Sequence, residues 1–334
     1  MKIVAPISSF READMLLHFG ADELYCGVNT PEWNEHFGSR LWMNRRDPSQ
    51  ANISSYEDIR KIVELAHEND ARVYLTLNAP FYPRGSIAYI LRLAEKLVSE
   101  VRIDGLIVSD FSLLMRLSEE NLPVRIHLSS LGSCFNSESV DFYLSLGVQR
   151  IILPRQLKFP EIHRLIAKAN PQMEFEVFAL NDGCYFEEGF CQTSHTLGAF
   201  CLTDWEVSTF GRLSNPEGHG ISREEMETHL EDSREYLWYQ NNCGSSFQAD
   251  GLPNGPCSLC GFGHFRDWGV RAVKIVGREA SFYRKMRSLQ LVRAVMDKVR
   301  NGADSGEIGE YARSLRETPE YCEKGYMCYF RGDT

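Results

Sequence analysis

Short apolar runs alternate along the chain with longer segments in which apolar residues recur at every third or fourth position. The short runs predict buried strands, and the longer segments predict amphipathic helices. In the segment behind a cap at Ser54 or Ser55, for example, Ile59, Ile62 and Ala66 fall on one helix face. The eight predicted strands are Lys2–Ala5, Glu23–Gly27, Arg72–Asn78, Gly105–Asp110, Val124–Ser129, Arg150–Pro154, Phe175–Leu180 and Ala272–Gly277.

The order of these elements, a strand followed by a helix and repeated eight times, is typical of a parallel β/α architecture. Eight repeats favour a closed barrel of the triosephosphate-isomerase (TIM) type over a doubly wound open sheet, which shows the same alternation. The sequence predicts this barrel over residues 1–180 and 265–300, with residues 301–334 as a tail that packs on it. In such a barrel the active site lies at the C-terminal ends of the strands.

One connection is much longer than the others and contains most of the cysteines. Between Leu180 and Ala272 lie about ninety residues, and connections of that length inside a compact domain are usually functional. The sequence therefore predicts a cysteine-rich insertion, residues 181–264, with a helix that opens on a capping box of Ser222 and Glu225. Six of the ten cysteines of the chain lie in the insertion, namely Cys184, Cys191, Cys201, Cys243, Cys257 and Cys260.

Composition narrows the class of protein. The chain has 334 residues, with 46 acidic and 36 basic side chains and a net charge of −10. This balance argues against a protein that coats nucleic acid or anionic membrane by charge alone, although it is compatible with a local basic groove. The N-terminus lacks the apolar region of a signal peptide, and no run approaches the roughly 20 apolar residues of a membrane span. The sequence predicts a cytoplasmic protein without membrane insertion.

In a reducing compartment, grouped cysteines indicate metal binding or redox chemistry rather than structural disulfides. Two metal sites are compatible with the spacing. Four thiolates gathered from separate loops suit an iron–sulfur cluster, whose irons need soft ligands. Alternatively, Cys243, Cys257, Cys260 and His264 would close a tetrahedral zinc site. Spacing alone leaves both interpretations open.

The segment EVFALNDGCYFEEGFCQTS, residues 176–194, resembles the signature of peptidase family U32, the collagenase-like family. The matching positions are Glu176, Phe178, Cys184, Gly189, Cys191 and Ser194. Other stretches are similar to the family over nearly the whole chain, from KIVAPISSF at its start to EKGYMCYFRG near its end. The resemblance implies a barrel-like domain with a 4Fe–4S cluster, whose ligands would be Cys184, Cys191, Cys201 and Cys257, with Cys243 and Cys260 as alternatives for the last two.

The members that the sequence resembles include oxygen-independent hydroxylation factors that act in ubiquinone biosynthesis, on transfer RNA and on ribosomal RNA, with prephenate as the oxygen donor. The resemblance therefore implies an iron–sulfur hydroxylase of an aromatic small molecule, with prephenate as co-substrate and a paralogue as partner in a heterodimer. Hydroxylation of an RNA nucleobase is one alternative. A non-catalytic iron–sulfur scaffold is another.

A peptidase mechanism finds little support in the residues. The chain has no G-x-S-x-G nucleophile elbow and no H-E-x-x-H zinc helix. A thiol protease that uses Cys26 or Cys134 with His127 is the remaining peptidase alternative.

Polar side chains at the predicted ends of the strands are the candidate catalytic groups. The hydroxylase that the resemblance implies needs cations to bind a dicarboxylate donor and polar groups to orient the ring. The candidate catalytic residues are Asn78, Asp110, His127, Ser129 and Arg155, and the candidates for binding the donor are Arg40 and Arg278. Each of these charged groups has a competing structural interpretation, because strand-end Arg and Asp residues often only brace loops.

Two loops combine basic and aromatic residues, HFGSRLWMNRR after the second strand and FYPRG after the third. Such loops are candidates for a local RNA groove. The net charge of −10 argues against that interpretation and favours a small aromatic metabolite as the substrate.

Overall fold

Eight parallel strands form a closed barrel in the computed structural model, which describes residues 1–38, 41–46, 51–181, 222, 224–232, 234, 256–317, 322–323, 325 and 328–330. The barrel closes because the first strand pairs with both the second and the last. The strands are β1 (Lys2–Pro6), β2 (Glu23–Val28), β3 (Arg72–Leu77), β4 (Gly105–Val108), β5 (Arg125–Leu128), β6 (Val148–Ile152), β7 (Glu174–Leu180) and β8 (Ala272–Ile275). Each overlaps one predicted apolar run, so the predicted TIM-type barrel is confirmed.

Every strand of the barrel pairs in parallel with its neighbours in the sequence, so all C-terminal strand ends lie on one face. We call this face, with the loops that follow the strands, the mouth. A two-residue strand, Asn52–Ile53, pairs with the last two residues of β2 and extends the sheet there. The mouth is the face on which active sites of such barrels lie.

Helices connect the strands and surround the barrel. They are α1 (Phe10–His18), α2 (Pro31–Phe37), α3 (Tyr56–Glu68), α4 (Arg84–Lys96), α5 (Phe111–Glu120), α6 (Ser137–Ser145), α7 (Phe159–Lys168), α8 (Phe262–Asp267), α9 (Phe282–Arg300) and α10 (Ser305–Arg316). A π-helical turn, Leu97–Val101, continues α4, and short 3-10 turns lie at Ser130–Gly132 and Leu259–Gly261. No helix in the described part of the chain is long and apolar enough to cross a membrane.

Side-chain caps start two helices where the sequence predicts them. Ser55 Oγ accepts the backbone N–H of Asp58 (3.2 Å) and so starts α3. Residues 224–232 are helical, and the predicted capping box before them is confirmed. The Ser222 N–H donates to Glu225 Oε2 (2.7 Å), and the Glu225 N–H donates to Ser222 Oγ (3.1 Å).

Apolar side chains form two cores, one between the barrel and the helices and a smaller one inside the barrel. The outer core includes the predicted face of α3, with Ile59, Ile62 and Ala66 fully buried. The inner core consists of Val4, Tyr25, Tyr74, Ile107, Ile152, Phe178, Ala272 and Val276. Because side chains alternate between the two faces of a strand, every strand except β5 contributes to both cores.

A buried network of charged residues fills the part of the barrel away from the mouth. The Arg150 guanidinium bonds Glu23 through Nη1 (2.6 Å), Glu176 through Nη1 (3.1 Å) and Glu174 through Nε (3.0 Å). Lys274 Nζ donates to the other oxygen of Glu176 (2.8 Å). The side chains of Arg150 and Glu176 are each 1% exposed, so this network belongs to the core of the barrel.

The network makes folding stability depend on pH at the acid end. Burial alone would raise the pKa of Glu176, but Lys274 and Arg150 outweigh it and hold the pKa below the ordinary value. A lowered folded-state pKa contributes stability that is complete above the unfolded value, about 4.3, and is lost as the pH falls through the folded value. We expect the free energy of unfolding, measured with urea, to fall as the pH drops below about 4.3, and to fall less steeply in Glu176→Gln. Equal slopes in the two proteins would contradict this assignment.

The end of the chain contacts the barrel close to the end of β7. Cys328 forms a parallel β-bridge with Cys257, which itself forms an antiparallel bridge with Leu180. The Phe330 ring packs against the rings of Phe159 (5.0 Å between centroids) and Phe265 (5.7 Å). The described part of the tail therefore lies beside the mouth.

Candidate active site at the mouth of the barrel

Arg278 follows β8 and reaches across the mouth to two neutral groups. Its Nη1 donates to Thr76 Oγ1 of β3 (2.8 Å), and its Nη2 donates to Asn44 Oδ1 (3.0 Å). Arg278 is 4% exposed, and no carboxylate of the described residues forms an ion pair with it. Burial lowers the pKa of Arg278 to about 10, so the side chain is still a cation at neutral pH. A buried cation without an ion-paired carboxylate is a candidate anchor for an anionic ligand.

The residues that hold Arg278 depend on a glycine in β2. A Cβ atom on Gly27 would lie 2.3 Å from Arg278 Nη1 and 1.9 Å from Asn52 Oδ1. Asn44 Nδ2 donates to Asn52 Oδ1 (2.6 Å) and so keeps Asn44 Oδ1 turned toward the guanidinium. Asn44 and Thr76 were not predicted as site residues, because their role depends on Arg278, which lies far from both in the chain.

Two other cations at the mouth already have carboxylate partners. Lys285 Nζ bonds Glu12 Oε2 (2.8 Å), and Arg46 Nη1 bonds Glu279 Oε2 (3.3 Å). Arg278 differs from both in having only neutral partners among the described residues. Of these three cations, Arg278 is the one with charge to offer a ligand.

Asn78 and Ser129, two predicted catalytic residues, meet at the mouth. Asn78 Nδ2 donates to Ser129 Oγ (3.3 Å) and so links the ends of β3 and β5 across β4. Asn78 Oδ1 is buried and has no hydrogen-bond partner in the described structure. A buried acceptor of this kind can receive an N–H or O–H of a ligand.

His127, also predicted to be catalytic, lies deeper inside the barrel than the sequence indicated. It is fully buried on β5, where it pairs with Arg150 of β6. Its ring packs against the ring of Tyr74, with 4.3 Å between the ring centroids. Burial and the nearby Arg150 and Arg125 hold the pKa of His127 well below its ordinary value. The imidazole is therefore neutral at physiological pH, and neither ring nitrogen has a hydrogen-bond partner in the described part of the chain.

The contacts of Asp110 and Arg155 are mainly those of loop bracing. Asp110 Oδ1 accepts the N–H of Leu113 (2.7 Å) and caps α5, while Oδ2 accepts the N–H of Tyr82 (2.9 Å). The Arg155 guanidinium lies 3.7 Å above the Phe178 ring, on the side of the mouth that the tail contacts. Catalytic roles for both residues stay predictions.

Of the four predicted cluster ligands, the described residues include Cys257. Cys184, Cys191 and Cys201, together with Arg40, lie outside them. Cys257 is held against the end of β7 by its bridge with Leu180 and by a bond from the Asn181 N–H to Pro256 O (2.8 Å). A buried thiol at this position suits a cluster ligand, since Cys184 follows Asn181 by three residues in the chain.

Cys257 belongs to a group of four neighbouring thiols with Cys260, Cys322 and Cys328, of which the sequence associated only Cys260 with it. Burial raises the pKa of Cys260 to about 12, and the neighbouring Cys257, Cys328 and Cys322 contribute to that increase. The tail cysteines join this group because the chain at Cys328 pairs with Cys257. No spacing motif in the sequence connects the cysteines of the tail with those of the insertion. In the described ranges, no three His, Cys, Asp or Glu side chains converge as metal ligands. The four-cysteine cluster site therefore stays a prediction.

The zinc alternative and the peptidase alternatives gain nothing from the described residues. His264 of the zinc set packs its ring against Phe159 (5.3 Å) and Trp268 (5.8 Å), and Cys243 lies outside the described residues. The chain has one Asp-Ser-Gly triplet, a sequence used by aspartic peptidases, at residues 304–306. There Asp304 Oδ1 accepts the N–H of Glu307 (2.9 Å) and caps α10.

Sequence comparison finds the same family over almost the whole chain. The model described as peptidase family U32 matches residues 8–334. Similar curated proteins include tRNA hydroxylation protein P of Helicobacter pylori, 26% identical over 194 residues that cover 58% of this chain and 42% of that protein. The collagenase of Porphyromonas gingivalis is 28% identical over 202 residues, or 58% of this chain and 44% of that protein. The chain thus spans less than half the length of these two relatives.

A third relative aligns over more of the chain. The uncharacterized protease MJ0090 of Methanocaldococcus jannaschii is 24% identical over 325 residues, which cover 95% of this chain and 70% of that protein. Among solved structures, the U32 peptidase Mk0906 is 16% identical, with a TM-score of 0.42 over 65% of this chain and 83% of that one.

Proposed function

The chain belongs to peptidase family U32, and from this premise we propose that it hydroxylates an aromatic ring without O2 and that this ring is a nucleobase of RNA. Relatives named tRNA hydroxylation protein P support the choice of RNA. The sequence favoured a small aromatic molecule on its net charge, but net charge does not exclude a local RNA site.

The observation that carries the proposal is the buried Arg278 with its neutral partners. A carboxylate that enters the mouth would pair with a cation that forms no ion pair with the described residues. A dicarboxylate oxygen donor such as prephenate has the chemistry for this site, because guanidinium and carboxylate form paired, charge-assisted hydrogen bonds. A phosphate of RNA would use the same contact.

The other residues of the mouth suit the binding of a planar polar ring. Asn78 Oδ1 would accept an N–H of the ring, and Ser129 Oγ would complete its orientation. His127 offers a neutral imidazole for proton transfer below them. A 4Fe–4S cluster on Cys184, Cys191, Cys201 and Cys257 would supply electron exchange when bound.

The test uses protein purified without oxygen, prephenate, and total RNA from cells that lack the protein. Mass spectrometry of the digested RNA should find one nucleoside that gains a single oxygen atom. If low-molecular-weight aromatic compounds gain the oxygen and RNA does not, the small-molecule alternative replaces the RNA proposal. If iron-loaded protein transfers oxygen to neither, hydroxylation itself is excluded under these conditions.

Replacing Arg278 tests the anion site directly. We expect Arg278→Leu to lower kcat/KM by about 10- to 100-fold, because a charge-assisted hydrogen bond contributes about 1.5–3 kcal/mol. The loss should appear as a higher KM for the donor, measured at fixed RNA concentration. Arg116→Leu is the control, because Arg116 pairs with Glu119 on the exposed surface of α5 (3.0 Å). A KM for the donor that is equal in Arg278→Leu and Arg116→Leu would contradict the role of Arg278.

A further inference from the structure

Six large apolar side chains of the described residues are exposed, and four of them lie at the mouth of the barrel. The six are Phe10 (44% exposed), Phe81 (55%), Phe111 (47%), Met115 (42%), Phe142 (47%) and Tyr283 (49%). Phe10, Phe111 and Tyr283 each stand in the first or second position of the helix that follows a strand, and Phe81 lies in the loop between β3 and α4. These four aromatic rings therefore belong to the mouth.

The four rings follow one another around half of the mouth. They come after β8, β1, β3 and β4, and the strands β8, β1, β2, β3 and β4 are successive neighbours in the barrel. We call Tyr283, Phe10, Phe81 and Phe111, in that order, the aromatic arc. The cysteine-rich insertion leaves the barrel from β7, so the arc begins one strand beyond it.

Arginines lie between the rings of the arc. Arg11 directly follows Phe10, and Arg84 lies three residues after Phe81. Both side chains are exposed. Most carboxylates of the same loops are already used, since Glu12 bonds Lys285 and Glu279 bonds Arg46. Asp110 caps α5, and the exposed Glu32 lies at the start of α2 between two members of the arc. Asp14, one helical turn after Arg11, and Glu35 on α2 are also exposed. The arc therefore combines four aromatic rings and two arginines with a few carboxylates beside them.

We propose that the aromatic arc, with Arg11 and Arg84, binds single-stranded RNA beside the barrel mouth, an inference that rests on the proposed function. Exposed aromatic rings stack on bases of any sequence, and arginines between them contact the phosphates. A single strand fits this surface better than a duplex does, because bases in a loop can unstack and one of them can enter the mouth. The acidic remainder of the chain repels phosphates and confines binding to the arc.

The test measures RNA binding alone, with full-length wild-type protein and a fluorescein-labelled single-stranded RNA of mixed sequence. Phe81→Ala and Tyr283→Ala should each raise the Kd about ten-fold, because each removes one stacked base. Phe19→Ala is the matched control, because Phe19 is a partly exposed aromatic residue at the end of α1, just before β2 and away from the mouth. This variant should bind RNA as the wild type does. Arg84→Gln should reduce the slope of log Kd against log salt concentration by about the amount of one phosphate contact. Arg116→Gln on α5 should leave this slope unchanged.

The outcomes separate this inference from the proposed function. Equal affinities in wild type, Phe81→Ala and Tyr283→Ala overturn the arc, whether or not RNA is hydroxylated. An equal loss of affinity in Phe19→Ala also overturns it. If the two arc variants instead change the oligomeric state in gel filtration and leave the Kd for RNA unchanged, the arc is a protein interface. RNA binding that depends on the arc but is never followed by hydroxylation supports the arc and contradicts the proposed function.

Discussion

Replacing Cys257 with alanine should remove the iron and the acid-labile sulfide from protein purified without oxygen. The wild type should carry about four of each, with a broad absorbance band in the visible range. Cys257 is buried where the insertion returns to β7, and a bridge holds its backbone against Leu180. An alanine offers no donor atom, and the soft irons of a cluster have no equivalent ligand in water. The measurement is the content of iron and sulfide per chain.

The controls are other cysteines of the chain. Cys134 is buried after β5, where its Sγ lies 3.9 Å from Asn136 O, and burial raises its pKa to about 12. Cys134→Ala should therefore keep the full iron content. If Cys260→Ala loses the iron while Cys257→Ala retains it, Cys260 is the fourth ligand. Likewise, if Cys201→Ala retains its iron, Cys201 is excluded as the third ligand.

Replacing Glu176 with alanine should lower the free energy of unfolding by about 3–5 kcal/mol. Glu176 is the carboxylate that Arg150 and Lys274 share inside the barrel, at 3.1 and 2.8 Å. Its removal leaves Lys274 without its bonded carboxylate, and water cannot reach a group that is 5% exposed to replace it. Removing one partner of a buried ion pair is strongly destabilising, because an uncompensated charge remains in the core.

Urea unfolding at neutral pH measures this loss, with Glu57→Ala as the control. Glu57 pairs with Arg60 (3.4 Å) and Lys61 (3.7 Å) on the exposed surface of α3, and its own side chain is 57% exposed. Exposed pairs of this kind contribute about 0–1 kcal/mol. Equal losses in Glu57→Ala and Glu176→Ala would show that the barrel network contributes no more than a surface pair.

The apolar pattern was sufficient to predict the barrel because each strand is a short apolar run that can be recognised from neighbouring residues alone. The run 105–110, for instance, is apolar where β4 lies and polar at Ser109 and Asp110, where the chain leaves the barrel. The Ser222–Glu225 capping box was equally predictable, because its two hydrogen bonds join residues three positions apart. Interactions between near neighbours in the chain need no knowledge of the fold.

The candidate site was less predictable, because its residues come from distant parts of the chain. The sequence placed His127 at the mouth with Ser129, but the pairing of β5 with its neighbours puts His127 inside the barrel against Tyr74. It identified Arg278 but not its partners, Asn44 from the loop after β2 and Thr76 from β3. The grouping of Cys328 with Cys257 also depends on where the tail returns.

By itself, the sequence determined the number and order of the strands, the helix caps, the cysteine-rich insertion and the family, since all of these depend on local patterns. The tertiary structure decided which polar side chains meet. It paired Glu23 with Arg150 inside the barrel, left Arg278 with neutral partners at the mouth and collected the exposed aromatic rings on one half of the rim. The physical reason is that a closed parallel barrel brings residues from every strand to one axis, and the register of pairing determines their height along that axis.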